Sequence, residues 1–356
     1  YYAVLFYVCR SGGWKEHISM SVLVSGGTGF IGSHTVVELI EAGYDVVVFD
    51  NFYNSKLCVL DRIKQITGKS VKFYEADMRD ASALRKIFSE NKIDSVIHFA
   101  GLKAVGESVD KPLAYYKNNI GGTVVLCEEM AAAGVKCMVF SSSATVYGDP
   151  ETVPMREDFP TSATNPYGET KLVIERILAD VCVSDPEWSV SCLRYFNPIG
   201  AHKSGLLGED PMGIPNNIMP RIQKVAAGEW DAITVFGDDY DTPDGTGVRD
   251  YIHVTDLAQA HIAALKRVYT VKGWECFNIG CGHGYSVLEL IEAYSRASGK
   301  EIPKVIMPRR PGDIAISYAD PTKAKEVLGW EAKLTLDDMC RDAYNFLVKN
   351  PRGYED

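Results

Sequence analysis

Short apolar runs alternate with segments of helical periodicity from residue 21 to about residue 201. Such runs are typical of buried strands, and the periodic segments between them are typical of crossover helices. The predicted strands are residues 22–25, 45–50, 71–75, 95–99, 137–141 and 189–195. Two of the clearer helices between them are residues 35–42 and 124–133. The alternation predicts an α/β fold built on a doubly wound parallel sheet.

The regular alternation ends near residue 197, beyond which Gly, Pro and Asn separate short elements. We therefore predict that residues 20–200 form mainly the sheet domain. Residues 201–356 are predicted to form mainly a smaller mixed α/β lobe, with some segments returning to the sheet domain. The Pro- and Gly-rich stretch 205–215 has the composition of a ligand-binding loop. Residues 1–19 do not fit this pattern, and because Met20 directly precedes the first strand we interpret them as a leader or extension of unknown role.

Composition narrows the class of protein. The 356 residues are 46% hydrophobic and 24% charged, as in a globular chain, and the net charge of −10 argues against binding to nucleic acid or an anionic membrane. Nine cysteines are scattered, with no Cys-x-x-Cys pair and no His at metal-ligand spacing. We therefore predict no metal site, and reduced thiols in a cytoplasmic protein. Residues 1–9 lack the features of a secretory signal and are too short to span a membrane.

A glycine loop follows the first predicted strand. Gly26, Gly29 and Gly32 allow a tight turn in which the backbone approaches a pyrophosphate at a helix N-terminus, although such a loop can also be purely structural. Asp50 closes the next strand, 18 residues beyond Gly32, where a carboxylate binds a ribose diol and repels a 2′-phosphate. The pattern predicts a Rossmann-type domain that binds NAD. Asp77 ends the third strand and is predicted either to meet the adenine edge or to cap the following helix.

Tyr167 and Lys171 are four residues apart, and Ser143 lies 24 residues before Tyr167. Residues at this spacing share one face of a helix. Tyrosine ordinarily titrates near pH ~10, so a nearby ammonium is expected to lower the pKa of Tyr167 and make it a usable base. The alternative is an ordinary surface pair, because Tyr-x-x-x-Lys alone is common.

Beyond these features, longer segments resemble the UDP-glucose 4-epimerase family of extended short-chain dehydrogenases/reductases. The resemblance runs from Met20 almost to the C-terminus. It is carried by residues 26–34, 50–56, 98–108, 141–148, 165–168, 194–202 and 246–253. The Phe-Ala-Gly-Leu-Lys-Ala-Val segment from residue 99 and the Ser-Ser-Ser-Ala-Thr run from residue 141 are particular to this family.

The resemblance implies NAD-dependent, reversible 4-epimerisation of UDP-glucose and UDP-galactose, as part of galactose metabolism. Tyr167 would remove the proton of the sugar 4-hydroxyl, Lys171 would hold the nicotinamide ribose, and Ser143 would bond the same hydroxyl. Hydride would pass from C4 to NAD and return to the opposite face of a 4-keto sugar. The resemblance also implies a homodimer.

The resemblance assigns further binding residues. Its cofactor contacts are Gly26, Gly29, Phe30, Ile31, Gly32, Asp50, Asn51, Phe52, Tyr53, Asn54, Ser55, Asp77, Met78, Phe99, Ala100, Gly101, Lys103, Asn118, Ser141, Tyr167, Lys171 and Phe196. Its substrate contacts are Lys103, Ser143, Tyr167, Asn197, Asn217, Ile218, Thr234, Val235, Phe236, Arg249, Arg310, Asp313 and Ser317. Guanidinium forks suit a diphosphate, which agrees with the two arginines. For the apolar Ile218 and Phe236 a core role is the stronger interpretation, and His98 and His253 fit structural roles.

Ser317 departs from many members of the family, which carry a bulky Tyr at this position. A small residue there would leave room for an N-acetyl group, so the sequence predicts activity on UDP-GlcNAc and UDP-GalNAc as well. Alternatively, Tyr318 or a shifted loop fills the space. One residue's volume provides only about 1 to 3 kcal/mol of discrimination between substrates.

Other functions on the same fold have to be considered. Sugar-nucleotide dehydratases characteristically place Asp-Glu where this chain has Ser143-Ala144, and that pair cannot supply the extra proton transfer. A regulator that only binds NAD would be expected to have lost Ser143, Tyr167 or Lys171, and all three are present. A structural or partner-binding role stays open, because fold alone does not determine function.

Overall fold

The computed structural model describes residues 20–310 and 313–354, so the predicted leader, residues 1–19, lies outside the described residues. The strands are β1 (Ser21–Ser25), β2 (Asp45–Asp50), β3 (Lys72–Glu75), β4 (Ser95–His98), β5 (Cys137–Ser143), β6 (Ser189–Tyr195), β7 (Asn197–Ile199), β8 (Ile233–Phe236), β9 (Val248–Arg249), β10 (Tyr251–His253), β11 (Gly273–Ile279), β12 (Tyr285–Ser286), β13 (Lys304–Met307) and β14 (Ile316–Ser317). The helices are α1 (Phe30–Glu41), α2 (Cys58–Thr67), α3 (Ala81–Glu90), α4 (Val105–Asp110), α5 (Pro112–Tyr115), α6 (Gly122–Ala132), α7 (Pro166–Ser184), α8 (Ile218–Ala226), α9 (Val254–Val268), α10 (Val287–Ser298) and α11 (Leu336–Lys349).

Seven parallel strands form the main sheet, in the order β11-β6-β5-β4-β1-β2-β3. The apolar runs explain its centre, since Val22, Leu23 and Val24 of β1 are fully buried. One face packs against α1, α2 and α9, and the other against α3, α6 and α7. The predicted α/β fold with a doubly wound parallel sheet is therefore confirmed.

The six predicted strands all occur, with boundaries shifted by no more than two residues. The seventh strand, β11, comes from the C-terminal half and pairs with β6 residue for residue from Gly273 and Ser189 onward. Helix α1 begins at Phe30, five residues before the predicted start, and its first turn contains Gly32, the last glycine of the loop. None of the described helices is long and apolar enough to cross a membrane.

The remaining strands form three small sheets, β7 with β10, β8 with β13, and β12-β9-β14. They join α8, α10 and α11 around a separate core that includes Ile222, Leu290 and Met339. Capping boxes define the starts of α10 and α11, at Ser286 and Thr335 respectively. Strand β6 runs almost directly into β7, so the lobe begins at the carboxyl end of the sheet, where parallel α/β folds bind their ligands.

Candidate active site

A cavity of about 720 Å³ lies at the carboxyl ends of the parallel strands and extends into the lobe. Its walls include the turns after β1, β2 and β4 and the last residue of β5. All but three of the residues assigned from the sequence line it, and the three exceptions are Phe52, Asp77 and Ser317. The structure thus brings the glycine loop, the Tyr-Lys pair and the arginines into one continuous space.

The glycine loop has the shape that a pyrophosphate requires. Gly26 has φ of +69°, and a Cβ on Gly32 would lie 2.2 Å from the Gly26 carbonyl oxygen. The helix that follows has Gly29 at its N-cap, with no side-chain cap and no acidic residue in its first turn. Among the described residues no side chain caps its first N–H groups, and Phe30 and Ile31 beside them line the cavity. Backbone donors without a side-chain cap fit the phosphates of a dinucleotide.

Asp50 is held rigidly at the end of β2. Its carboxylate accepts hydrogen bonds from Thr28 N (3.2 Å), Phe52 N (2.9 Å) and Ser55 Oγ (3.0 Å). A carboxylate has about four acceptor sites, so roughly one remains for a ligand hydroxyl. This position and charge fit a ribose diol. Phe52 itself has a left-handed backbone (φ 56°) and packs on Phe73 rather than lining the cavity.

Asp77 does not cap a helix, so that alternative is wrong. The N-cap of α3 is Asp80, whose carboxylate accepts from two backbone N–H groups. Asp77 instead accepts from the Arg79 guanidinium (2.6 and 2.8 Å) and from Asn51 Nδ2 (3.1 Å). The hydrogen bonds from Arg79 hold the pKa of Asp77 well below its usual range. Asp77 lies behind the cavity wall, while its neighbours Met78 and Arg79 line it.

Helix α7 places Tyr167 and Lys171 beside the end of β5. The helix starts at Pro166, with the Asn165 side chain accepting from Gly168 N. Tyr167 is therefore in the first turn, where the hydroxyl of Ser143, the last residue of β5, is near enough to its phenol to favour the phenolate. Lys171 lies one turn later, is 5% exposed, and donates to the Ser141 carbonyl oxygen at 2.7 Å.

The expected lowering of the Tyr167 pKa is wrong for this structure. Desolvation raises it, and the hydrogen bond with Ser143 only partly opposes that effect. Lys171 contributes little, because its ammonium bonds Ser141 and lies 5.9 Å from the Tyr167 ring centroid. Burial also lowers the pKa of Lys171 to about 8, which reduces its charge at alkaline pH. The burial that raises the pKa of Tyr167 results from the fold, and the spacing of Tyr167 and Lys171 in the sequence does not reveal it.

The lobe side of the cavity is cationic. Arg249 and Arg310 both contact Asp313, at 3.5 and 2.9 Å respectively, so one carboxylate holds two guanidinium groups. The Arg310 guanidinium also lies 4.6 Å from the Phe236 ring centroid, a cation–π contact. Phe236 thus supports an arginine as well as filling space. An excess of positive charge beside the cavity suits an anionic ligand.

The lining residues that were not assigned from the sequence include Arg221 and Glu209. Arg221 lies in the first turn of α8, four residues after the N-cap Asn217, and this spacing was the available signal. Its Nε donates to the Pro215 carbonyl at 2.9 Å, and burial and the neighbouring Arg310 lower its pKa. Glu209 lies in the irregular loop before α8, where no periodic pattern distinguishes it.

Ser317, which was assigned as a sugar contact, is not among the residues that line the cavity. It is 9% exposed in β14, where it pairs with Arg249 of β9. Its pairing partner Arg249 lines the cavity, whereas Ser317 does not. Tyr318 does not line the cavity either, so it does not fill the space as the alternative proposed.

Histidines play structural roles in this arrangement. His98 is buried between Ser25 (2.7 Å) and Thr123 (2.9 Å), and burial lowers its pKa to about 3. His253 contacts Asp342 at 3.3 Å, and neither histidine lines the cavity. Across residues 20–310 and 313–354, no three His, Cys, Asp or Glu side chains form a group that could hold a metal ion.

Two features define the class of this protein. A glycine loop leads into the N-terminus of α1, and the Tyr-x-x-x-Lys motif of α7 lies beside Ser143 at the end of β5. Together they are typical of the extended short-chain dehydrogenases/reductases. The family model described as GDP-mannose 4,6 dehydratase matches residues 23–343, which is most of the chain.

Individual relatives narrow the assignment. UDP-glucose 4-epimerase of Bacillus subtilis is 58% identical over 336 residues, covering 94% of this chain and 99% of that protein. The crystal structure of UDP-glucose 4-epimerase from Bifidobacterium longum in complex with NAD+ and UDP is 57% identical, with a TM-score of 0.91, covering 94% of this chain and all of that one. The UDP-Glc/GlcNAc 4-epimerase from Campylobacter jejuni is 36% identical, with a TM-score of 0.81, covering 93% of this chain and all of that one. This chain therefore belongs to the UDP-glucose 4-epimerase family.

Proposed function

We propose that this chain is an NAD-dependent isomerase that interconverts UDP-glucose and UDP-galactose by inverting C4 of the hexose. The observation that carries the proposal is the single cavity in which Tyr167 and Ser143 lie between the glycine loop and the arginine pair. The membership of the family and the NAD and UDP bound to the Bifidobacterium longum relative support it.

The proton chemistry belongs to Tyr167 and Ser143. Ser143 Oγ already accepts from Thr145 N (3.2 Å) and Thr145 Oγ1 (3.0 Å), so its own proton is available to the phenol oxygen or to a sugar hydroxyl. A hydrogen bond donated to the phenolate favours its formation, and the phenolate then takes the 4-hydroxyl proton. NAD supplies the hydride acceptor when bound, and the same phenol returns the proton after the face of the sugar has changed.

Arg249 and Arg310 hold the diphosphate in this proposal. Planar guanidinium groups bind phosphate oxygens through paired hydrogen bonds, and Asp313 keeps both groups at the cavity wall. The hexose itself is then attached only through the diphosphate. Inversion requires this freedom, because the sugar must present both faces of C4 to the same cofactor. Residues 20–200 would mainly hold NAD and residues 201–356 mainly the UDP-sugar, with α9 and β11 returning to the sheet.

The substrate range extends to UDP-GlcNAc and UDP-GalNAc in this proposal. The side chain at position 317 is a serine that stays behind the wall formed by Arg249, so it takes no volume from the cavity. A UDP-Glc/GlcNAc 4-epimerase occurs in the same family, in Campylobacter jejuni.

The enzyme would act as a cytoplasmic homodimer in galactose metabolism. Apolar side chains on α4 and α5 are exposed, with Val109 at 62% and Leu113 at 80%. These residues, together with α7, would supply a surface for a second copy. Light scattering of the purified protein measures this state directly, and a mass of one chain would contradict it.

The deciding experiment is proton NMR of UDP-galactose incubated with the purified protein and no added NAD. Appearance of the UDP-glucose anomeric signal is expected, because NAD is regenerated in every cycle and stays bound. The variant Tyr167→Phe should bind UDP but lose turnover by about 10²- to 10⁴-fold, the usual contribution of general acid–base catalysis. Tyr74→Phe is the matched control, because the Tyr74 hydroxyl donates to Glu90 and lies outside the cavity. Its turnover should stay unchanged. No conversion even after NAD is supplied would overturn the proposal.

A further inference from the structure

Glu209 occupies an unusual position in the loop between β7 and α8. It is 6% exposed and yet lines the cavity. Its Oε1 accepts from Lys103 Nζ at 3.2 Å and from Asn217 Nδ2 at 2.5 Å. Its Oε2 is buried and has no hydrogen-bond partner in the described part of the chain. The orientation of this carboxylate therefore depends on the two contacts at one oxygen.

Those two contacts come from opposite walls of the cavity. Lys103 belongs to the turn that follows β4 in the main sheet, whereas Asn217 directly precedes α8 in the lobe. Both residues line the cavity, and the Lys103 side chain is 47% exposed. A long, half-exposed lysine has many rotamers, so a fixed carboxylate restricts where its ammonium lies.

Asn217 shows a second consequence of the same carboxylate. It occupies the N-cap position of α8 with extended backbone angles, the position where Asn usually accepts a hydrogen bond from its own helix. Here the side chain makes no cap, and its amide donates to Glu209 instead. In the part of the chain that the structure describes, no side chain caps the first N–H groups of α8, and Ile218 beside them lines the cavity.

We propose that Glu209 is a positioning residue for substrate binding. It keeps the Lys103 ammonium inside the cavity and turns the Asn217 amide away from its helix, so that the cation and the uncapped start of α8 both face the diphosphate of a nucleoside diphosphate. This inference rests on the proposed function. Glu209 acts through Lys103 and Asn217, because its own charge would repel phosphate.

Binding of UDP alone, measured by calorimetry, tests the inference without needing turnover. Glu209→Gln keeps the size of the side chain but removes the charge that orients Lys103. Its UDP affinity should fall about tenfold, since hydrogen bonds to charged groups are among the stronger polar contacts. Glu129→Gln is the matched control, because Glu129 is also a buried carboxylate paired with a cation, Arg85, but lies outside the cavity. Its UDP affinity should stay unchanged.

A double-mutant comparison separates positioning from a direct contact. In a Lys103→Met, Asn217→Ala background, adding Glu209→Gln should change UDP affinity less than twofold, because its partners are already gone. A further tenfold loss in that background would overturn the positioning role. If Glu209→Gln does not fold, as judged by circular dichroism, Glu209→Asp serves instead, since its shorter side chain cannot keep both contacts.

The two proposals fail in different ways. If the wild-type protein binds UDP and Glu209→Gln binds it equally well, only the role of Glu209 is overturned. If the wild-type protein binds no UDP, both the proposed function and the role of Glu209 are overturned.

Discussion

The carboxylate of Glu175 accepts a hydrogen bond of 2.5 Å from the hydroxyl of Ser142, at a point where both residues are buried. The same carboxylate is held by Arg194 of β6 through two contacts of 2.6 and 3.0 Å. A buried charge is tolerated when it is paired and hydrogen-bonded in this way, and losing one partner is costly. Helix α7 is thus attached to both β5 and β6 directly behind the site.

The attachment continues along the helix. Tyr167, Lys171 and Glu175 are spaced by four residues and share one face of α7. Tyr167 contacts Ser143 and Lys171 contacts the carbonyl of Ser141, so three consecutive serines of β5 each meet one of the three helical residues. The register between helix and strand therefore determines where the phenol lies relative to the serine hydroxyl.

Lys171 should make stability depend on pH. Burial lowers its pKa from 10.5 to about 8, so between these values the unfolded chain binds a proton that the folded chain does not. The stability of the wild-type protein relative to Lys171→Met should therefore rise as pH increases from 8 to 10.5, by up to about 3 kcal/mol. Denaturant unfolding of both proteins at several pH values measures the difference. Lys86→Met is the control, because the Lys86 side chain is 66% exposed. Its free energy of unfolding relative to the wild type should not change with pH. A flat result for Lys171→Met would show that the ammonium is not desolvated.

Gly32→Ala should remove the cofactor. The new Cβ would lie 2.2 Å from the Gly26 carbonyl oxygen, so α1 has to move away from the loop. Overpacking of this kind costs about 1 to 3 kcal/mol of stability, and it also displaces the N–H groups proposed to hold the pyrophosphate. Nucleotide released on denaturation, measured by chromatography, should fall well below that of the wild type. Gly121→Ala, whose Cβ meets nothing within 4 Å, should retain its nucleotide. Full nucleotide content in Gly32→Ala would place the pyrophosphate elsewhere.

Arg221→Met should weaken UDP binding. Arg221 adds a third guanidinium to the lobe side of the cavity, close enough to Arg310 that their charges repel. An anionic ligand relieves this repulsion, and one charged hydrogen bond corresponds to about 1.5 to 3 kcal/mol, or roughly tenfold or more in affinity. Calorimetry with UDP measures the loss. Lys224→Met changes a cation on the same helix but outside the cavity, and it should leave the affinity for UDP unchanged. If Arg221→Met and Lys224→Met bind UDP equally well, Arg221 has only a structural role.

Ser317→Tyr should narrow the substrate range. A tyrosine in β14 beside Arg249 is large enough to reach past the wall, where it would compete with an N-acetyl group for space. Turnover of UDP-GalNAc should fall by about 10- to 200-fold, and turnover of UDP-galactose should be kept. Coupled assays with each sugar nucleotide make the comparison, and Ser317→Ala should retain both activities. A wild-type protein that converts UDP-galactose but not UDP-GalNAc would rule out the broader range.

Much of the main sheet could be predicted because its strands are short apolar runs. The bounds of β2 and β6 agree fully with the prediction, since both runs are almost entirely buried. The small sheets of the lobe could not be predicted in the same way. Arg249 pairs with both Tyr285 and Ser317, so a two-residue strand there depends on partners far along the chain rather than on a local pattern.

The candidate site was predictable where chemistry depends on spacing. Tyr167 and Lys171 share a helix face, as their separation of four residues indicates, but the direction of the Tyr167 pKa depends on burial. Glu209 gave no signal, because a single carboxylate in a Gly- and Pro-rich loop is usually solvated. Its role follows only from the approach of Lys103 and Asn217 in the folded protein.

The position of β11 at the edge of the main sheet has a consequence for synthesis of the chain. β6 ends at Tyr195, and its outer neighbour β11 begins at Gly273. The ribosome must therefore add nearly 80 residues before β11 can cover the edge of β6. This synthesis takes roughly 4 to 16 seconds at cellular rates. Until then the backbone of β6 is a template for pairing with other chains. A nascent chain stalled in the lobe would therefore already carry its complete glycine loop and Tyr-Lys pair, and it would still expose the unpaired backbone of β6 to other chains.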